Sequence, residues 1–272
     1  LKNQIPNTAH LMIIGAMKSG TTSLFDMLKS HPEICPSKPK EPEFFSRQGH
    51  RVQANTYSEL FDFDPAIHVY AMDGSTGYTK YPREADVPKR IKQAGLEPKF
   101  IYVVRHPIER IVSNLNYWNN FPQWSAPMDN LEHMVDISKY HMQLSQYTQH
   151  FSKDSILIID FEDLIGQREN VLRSICSFLG ISTDYKKSMR GKSNVTVPKG
   201  KLELFIIKHF SKWFKYLPKG LKARTKASIT KYSKTEPIKL TELQETQIRQ
   251  ALQDDMSAFQ RDYGFDVSKW GF

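Results

Sequence analysis

Cysteine is scarce in this sequence: Cys35 and Cys176 are the two present in 272 residues. So few thiols make no disulfide framework, and neither C-x-x-C nor H-x-x-x-H spacing occurs, which argues against a stapled fold and against a zinc site. No run of about 18 apolar residues is present, so no membrane-spanning helix is expected. Leu1-Lys2-Asn3-Gln4-Ile5-Pro6 does not read as a secretion signal, and a reducing, cytoplasmic setting is expected. Internal repeats and low-complexity tracts are missing as well. What remains, 39% hydrophobic and 25% charged, is the composition of an ordinary globular chain long enough for one α/β domain with a large core or for two small domains.

Charge of one sign is in excess. The formal net charge of +9 attracts anionic partners, whether nucleotides, sulfated or carboxylated substrates, nucleic acid or membrane surfaces. The excess is regional, because Lys199 to Lys239 holds twelve Lys/Arg against two Glu. Leu202, Ile206, Phe210, Trp213 and Leu217 fall on one helical face of that stretch. It reads as a basic amphipathic helix packed on the core, as part of an anionic acceptor site or lid, or as a peripheral membrane contact.

Strand-then-helix units recur along the chain. His10-Leu11-Met12-Ile13-Ile14 is a short apolar run ending at Gly15, and a helix capped by Thr21 or Thr22 is expected after it, stopping near His31-Pro32. Phe100-Ile101-Tyr102-Val103-Val104 is followed by Pro107 and by Ile108, Ile111, Val112 and Leu115 at helical spacing. Ser155-Ile156-Leu157-Ile158-Ile159-Asp160 leads into a helix through Val171, Leu172, Ile175, Phe178 and Leu179, closed by Gly180. Three such units imply a central parallel sheet flanked by helices on both faces, an α/β single domain. Pro36–Ser46 and residues 119–130 read as loops, and Thr241-Glu242-Leu243-Gln244 reads as a capping box opening a helix that ends at Gly264.

Gly15-Ala16-Met17-Lys18-Ser19-Gly20-Thr21-Thr22 joins the first strand to the first helix. Backbone amides and a helix N-terminus converge there, and glycine lets the backbone approach an anion, so the loop is a candidate phosphate grip. It is not a Walker A motif, because Gly20 is followed by Thr21 and the lysine, Lys18, precedes Gly20. Asp160, which ends an apolar strand as a Walker B aspartate does, keeps a magnesium-dependent kinase as an alternative. A non-catalytic anion or nucleic-acid binder is a second alternative, carried by the basic stretch but without a nucleic-acid motif.

The segment Ile13 to Leu24 resembles the 5′-phosphosulfate loop of the sulfotransferases that use 3′-phosphoadenosine 5′-phosphosulfate (PAPS), and Tyr102 to Arg110 with Ser113 resembles their 3′-phosphate segment. Asp160-Phe161-Glu162-Asp163-Leu164 and Phe178-Leu179-Gly180 resemble the family's later strand and helix. Lys40-Glu41-Pro42-Glu43-Phe44-Phe45 is most similar to the branch holding heparan sulfate and many bacterial sulfotransferases, although the lysine of that branch's next segment is Gly74 here and its proline is Thr76. The resemblance implies sulfuryl transfer from PAPS to a hydroxyl or amine of a small-molecule, natural-product or sugar acceptor, with adenosine 3′,5′-bisphosphate as product and no metal. It implies Lys18 and Glu41 as catalytic residues, Glu41 as base. It implies Lys18, Ser19, Gly20, Thr21, Thr22 and Ser23 at the 5′-phosphosulfate and Arg105 and Ser113 at the 3′-phosphate, with Arg190 and Lys192 in a segment closing over the nucleotide. The expected layout is a single domain over 1–272: a nucleotide-binding core at about 10–182, a basic acceptor or lid region at about 183–240, and a C-terminal helix at 241–264.

Overall fold

A computed structural model describes residues 5–46, 56–119, 127–183 and 237–272. Five strands form one sheet: β1 (His10–Gly15), β2 (Ile34–Pro36), β3 (Tyr70–Asp73), β4 (Lys99–Val104) and β5 (Ile156–Asp160). Their order is β2-β3-β1-β4-β5, and every pairing is parallel. Alternate residues of a strand face opposite sides. Met12, Ile14, Phe100, Tyr102 and Val104 accordingly join one core, while Leu11, Ile13, Ile101 and Val103 join the other.

Helices cover both faces. The first core is closed by α2 (Val87–Gln93), α3 (Pro107–Trp118), α4 (Leu131–Ser138), α5 (Tyr140–Thr148) and the last helix, α8 (Glu242–Tyr263). The second is closed by α1 (Thr21–Leu28) and α7 (Arg168–Leu179), with Leu164 of the short α6 (Phe161–Gly166). A strand buried on two faces is mostly apolar, and all six residues of β1 are buried, His10 being the one polar side chain among them.

The expected α/β sheet is present, with differences in detail. Helix α1 is capped by Gly20 in the left-handed conformation (φ 82°), not by a threonine hydroxyl, and it ends at Leu28 rather than near His31. Pro36 belongs to β2 rather than to a loop, and residues 127–130 form a 3-10 turn. The helix expected after β5 is two helices, α6 and α7. Gly180 (φ 67°) and Gly264 (φ 66°) end α7 and α8 as read, and the Thr241/Gln244 capping box is formed. Cys35 and Cys176 are both buried and free.

Topology fixes where a ligand can sit. Helix α1 leaves β1 toward one face and α3 leaves the adjacent β4 toward the other. The chain thus opens a crevice at the C-terminal ends of β1 and β4, the position open α/β sheets use for ligands.

Candidate active site

The loop after β1 is tied into that crevice by backbone. Its register against β4 shifts between Ile13 and Gly15, and the Ala16 N–H then donates to the Val103 carbonyl at 2.8 Å. The turn tightens as the Ser19 N–H donates to the Ala16 carbonyl at 3.1 Å. Lys18 itself is in the left-handed region (φ 73°), a conformation uncommon for a lysine. A Cβ at Gly20 would lie 2.9 Å from the Phe161 ring, so glycine is required there by both φ and space. Ser19 is fully buried, and its Oγ has no partner among the described residues. Thr21 is buried at the first turn of α1, Ser23 is half-buried, and Thr22 is exposed.

Two cations meet over this loop. The Lys18 ammonium sits 4.4 Å from the Tyr117 ring centroid. Burial, and then the charge of Arg105, lower its pKa to about 8. Arg105 follows β4 directly; its guanidinium stacks on Phe161 at 4.7 Å and pairs with Glu109 at 2.9 Å. Its Nε is buried with no partner among the described residues. Tyr140 fixes the Arg105 backbone, donating its hydroxyl to the carbonyl at 2.6 Å and accepting from the N–H at 3.3 Å. Glu109, Ser113 and Tyr117 recur every four residues and line one side of α3, which sets half-buried Ser113 on the side that meets Lys18. His106 caps the start of α3, and burial lowers its pKa.

The two glutamates of the loop after β2 have different surroundings. Glu41 is half-buried and pairs with Lys40 Nζ at 2.6 Å. The Lys40 carbonyl accepts from Gly74 N–H at 3.1 Å, which brings this loop to the C-terminal end of β3. Glu43 is buried: Oε1 accepts from Gly77 N–H at 2.8 Å and Oε2 from the Ser46 hydroxyl at 2.7 Å. Both Glu43 oxygens thus hold the loop shut, and Gly77 has no space for a side chain because a Cβ would overlap that carboxylate. Next to it Asp73 is fully buried and accepts from Ser75, Tyr78 and Tyr57 hydroxyls at 2.7, 2.7 and 3.2 Å. Burial raises its pKa to about 7 against the pull of those donors. From that same end of β3, Thr79 donates to the Ile14 carbonyl at 2.6 Å, bracing β1 just before the loop.

Asp160, the Walker B-like residue, is already engaged. Oδ1 caps α6 through the Glu162 N–H at 3.1 Å, and Oδ2 pairs with Lys269 from the C-terminal turn. The sequence reading quoted Arg110 and Phe161 within longer motifs without giving them a role, and passed over Tyr117 and Lys269. The signal for Arg110 was available, since it shares the apolar side of α3 with Pro107, Ile111 and Asn114. Arg190, Lys192 and most of the basic stretch 199–239 lie outside the described residues.

Comparison with known proteins bears on this arrangement. Residues 8–212 match the family model described as "Sulfotransferase domain". Mouse heparan sulfate glucosamine 3-O-sulfotransferase 3A1 is 28% identical over 188 residues, covering 62% of this chain and 45% of that protein. Human heparan sulfate glucosamine 3-O-sulfotransferase 6 is 26% identical over 187 residues, 62% of this chain and 52% of that one. The chain thus spans about half the length of the curated relatives it matches. A sulfotransferase from Alicyclobacillus acidocaldarius superposes with a TM-score of 0.66 at 18% identity, covering 99% of this chain and 100% of that one. Mouse sulfotransferase SULT7A1, solved in complex with PAP, superposes at 0.54 with 18% identity, over 93% and 85% of the two chains.

Proposed function

Because the chain belongs to the sulfotransferase domain family, we propose that it transfers a sulfuryl group from PAPS to a hydroxyl or amine of a sugar or small-molecule acceptor. The observation that carries this reading is the convergence of Lys18 and Arg105 on a glycine-bounded loop, close enough for one charge to depress the other's pKa. Two like charges held together in a half-buried crevice suit a ligand bearing several negative charges. Ser19 Oγ and Arg105 Nε, without partners among the described residues, fit the same ligand as donors.

PAPS supplies an activated sulfuryl group on a phosphate leaving group. Gly20, Thr21, Thr22 and Ser23 hold the 5′ end at the N-terminus of α1, and Ser19 shapes the turn. Arg105 and Ser113 hold the 3′-phosphate, the guanidinium because its fork makes two charge-assisted bonds to one anion. Lys18 neutralises the charge that grows on the departing oxygen, which places it in the transition state rather than in ground-state binding. Glu41 takes the proton from the acceptor as the new bond to sulfur forms. Between the two glutamates the choice falls on Glu41, since both oxygens of Glu43 already accept from Gly77 and Ser46.

The acceptor is contacted differently from that of the heparan branch. A Cβ at Gly74 would lie 2.7 Å from the Phe25 ring, so the lysine of that branch has no room here. The test is transfer of labelled sulfate from PAPS across a panel of alcohols, amines and sugars, alongside titration with adenosine 3′,5′-bisphosphate. Turnover with at least one acceptor, persisting in EDTA, is expected. Absence of bisphosphate binding would overturn the proposal.

A further inference from the structure

Arg110 is completely buried on the inner side of α3. Its Nε donates to Ser138 Oγ at 2.6 Å, its Nη1 to the Met17 carbonyl at 3.3 Å, and its Nη2 to the Met134 carbonyl. All three acceptors are neutral, and among the described residues no carboxylate pairs with it. Burial lowers its pKa to about 10; the neighbouring Tyr140 and Tyr102 are phenols that burial keeps neutral, and the charge of Arg105 acts on it with the same sign as its own. A buried ion without a counter-ion is a strongly unfavourable arrangement that folds do not keep without a compensating charge. The peptide it grips points to where that charge enters: Met17 immediately precedes Lys18 in the loop that the proposed function assigns to the phosphosulfate.

Resting on that reading of the loop, we propose that Arg110 is a positioning residue whose charge is balanced by the bound nucleotide. Through the Met17 carbonyl it sets the loop from behind, so that Lys18 and the amides after it face the 5′-phosphosulfate. The guanidinium touches no ligand; it acts through one peptide group and through its field in a poorly solvated interior.

The test separates the two ends of the nucleotide. Calorimetry compares adenosine 3′,5′-bisphosphate with adenosine 3′-phosphate, which lacks the 5′ anion, in wild type, Arg110→Gln, Arg110→Lys and Ser138→Ala. The preference of wild type for the bisphosphate is expected to shrink on the order of tenfold in Arg110→Gln, the lower end of what outer-shell partners of metal ligands cost. Arg110→Lys and Ser138→Ala, which keep the charge, are expected to retain most of that preference. Equal losses for both nucleotides in Arg110→Gln would overturn the proposal and leave Arg110 a packing residue. Wild type that binds neither nucleotide would instead overturn the PAPS reading beneath it. A second measurement does not depend on Arg110→Gln folding. Met17-Lys18 is the one Met-Lys step in the sequence, so carbonyl-labelled methionine with nitrogen-labelled lysine gives a single amide signal. That signal is expected to move with the bisphosphate and far less with adenosine 3′-phosphate; a signal indifferent to the bisphosphate would overturn the proposal.

Discussion

At the residue scale the chemistry turns on Lys18. Its pKa is lowered to about 8 in the free protein, because its ammonium is partly desolvated and faces Arg105. A bound anion favours the charged form, so binding above that pH draws in a proton. The sign follows: affinity for adenosine 3′,5′-bisphosphate is expected to fall as pH rises through about 8. Calorimetry in buffers of different ionisation enthalpy should show proton uptake that vanishes in Lys18→Ala. In the same variant kcat is expected to fall far more than nucleotide affinity, and equal losses would reassign Lys18 to binding alone. Asp73 gives a second pH signature. Its folded-state pKa of about 7 lies above the unfolded 3.8. Its contribution to stability is therefore complete below the unfolded value and is lost as pH rises through about 7. Relative to Asp73→Asn, the wild-type melting temperature should rise on acidification from neutral pH. Lys18 could be singled out in the sequence because loop chemistry is local, with glycine, lysine and hydroxyls within eight residues, whereas Arg105 was reached only through the resemblance of its segment. The network of Asp73, Glu43 and Gly77 was not legible, since Glu43 and Tyr57 reach it from the segment after β2 while Asp73 and Gly77 lie at and after the end of β3.

At the element scale, what could be read depended on length. Strands β1, β4 and β5 announce themselves as five- or six-residue apolar runs. Strand β2, Ile34-Cys35-Pro36, and β3, Tyr70-Ala71-Met72-Asp73, are too short to carry a pattern and owe their state to pairing with neighbours. Gly180 and Gly264 were legible as terminators because a left-handed C′ position selects glycine by sterics alone. Gly20 was read as part of the phosphate loop, but the contact that also requires glycine there, Phe161, comes from beyond β5 and could not be read locally. Two substitutions check these statements by urea unfolding. Thr241→Ala removes the reciprocal cap of α8 and should cost about 1 kcal/mol. Gly77→Ala drives a methyl into the Glu43 carboxylate and should cost about 1–3 kcal/mol, as overpacking does elsewhere.

At the scale of the whole molecule, all five strands point the same way, so every loop argued to carry chemistry gathers on one edge. The C-terminal turn is fastened to that edge. Lys269 pairs with Asp160 at the end of β5, while Trp270 lies against Tyr140 and His106, the residues that hold and follow Arg105. Lys269→Ala leaves a nearly buried carboxylate with one partner fewer, and a loss of about 1–3 kcal/mol is expected in urea unfolding. The placement of β1 in the middle of the sheet has a further consequence, in the order of assembly. The phosphate grip depends on Val103, which receives the Ala16 amide, and on Thr79, which braces Ile14. Strand β1 emerges before the other four strands but gains its second neighbour only when β4 arrives. A nascent chain halted before Lys99 holds every residue of the Gly15–Thr22 loop and should have no measurable affinity for the nucleotide. That affinity should switch on only after β4 and the Arg105–Ser113 segment behind it have left the ribosome, so a loop made early becomes competent late.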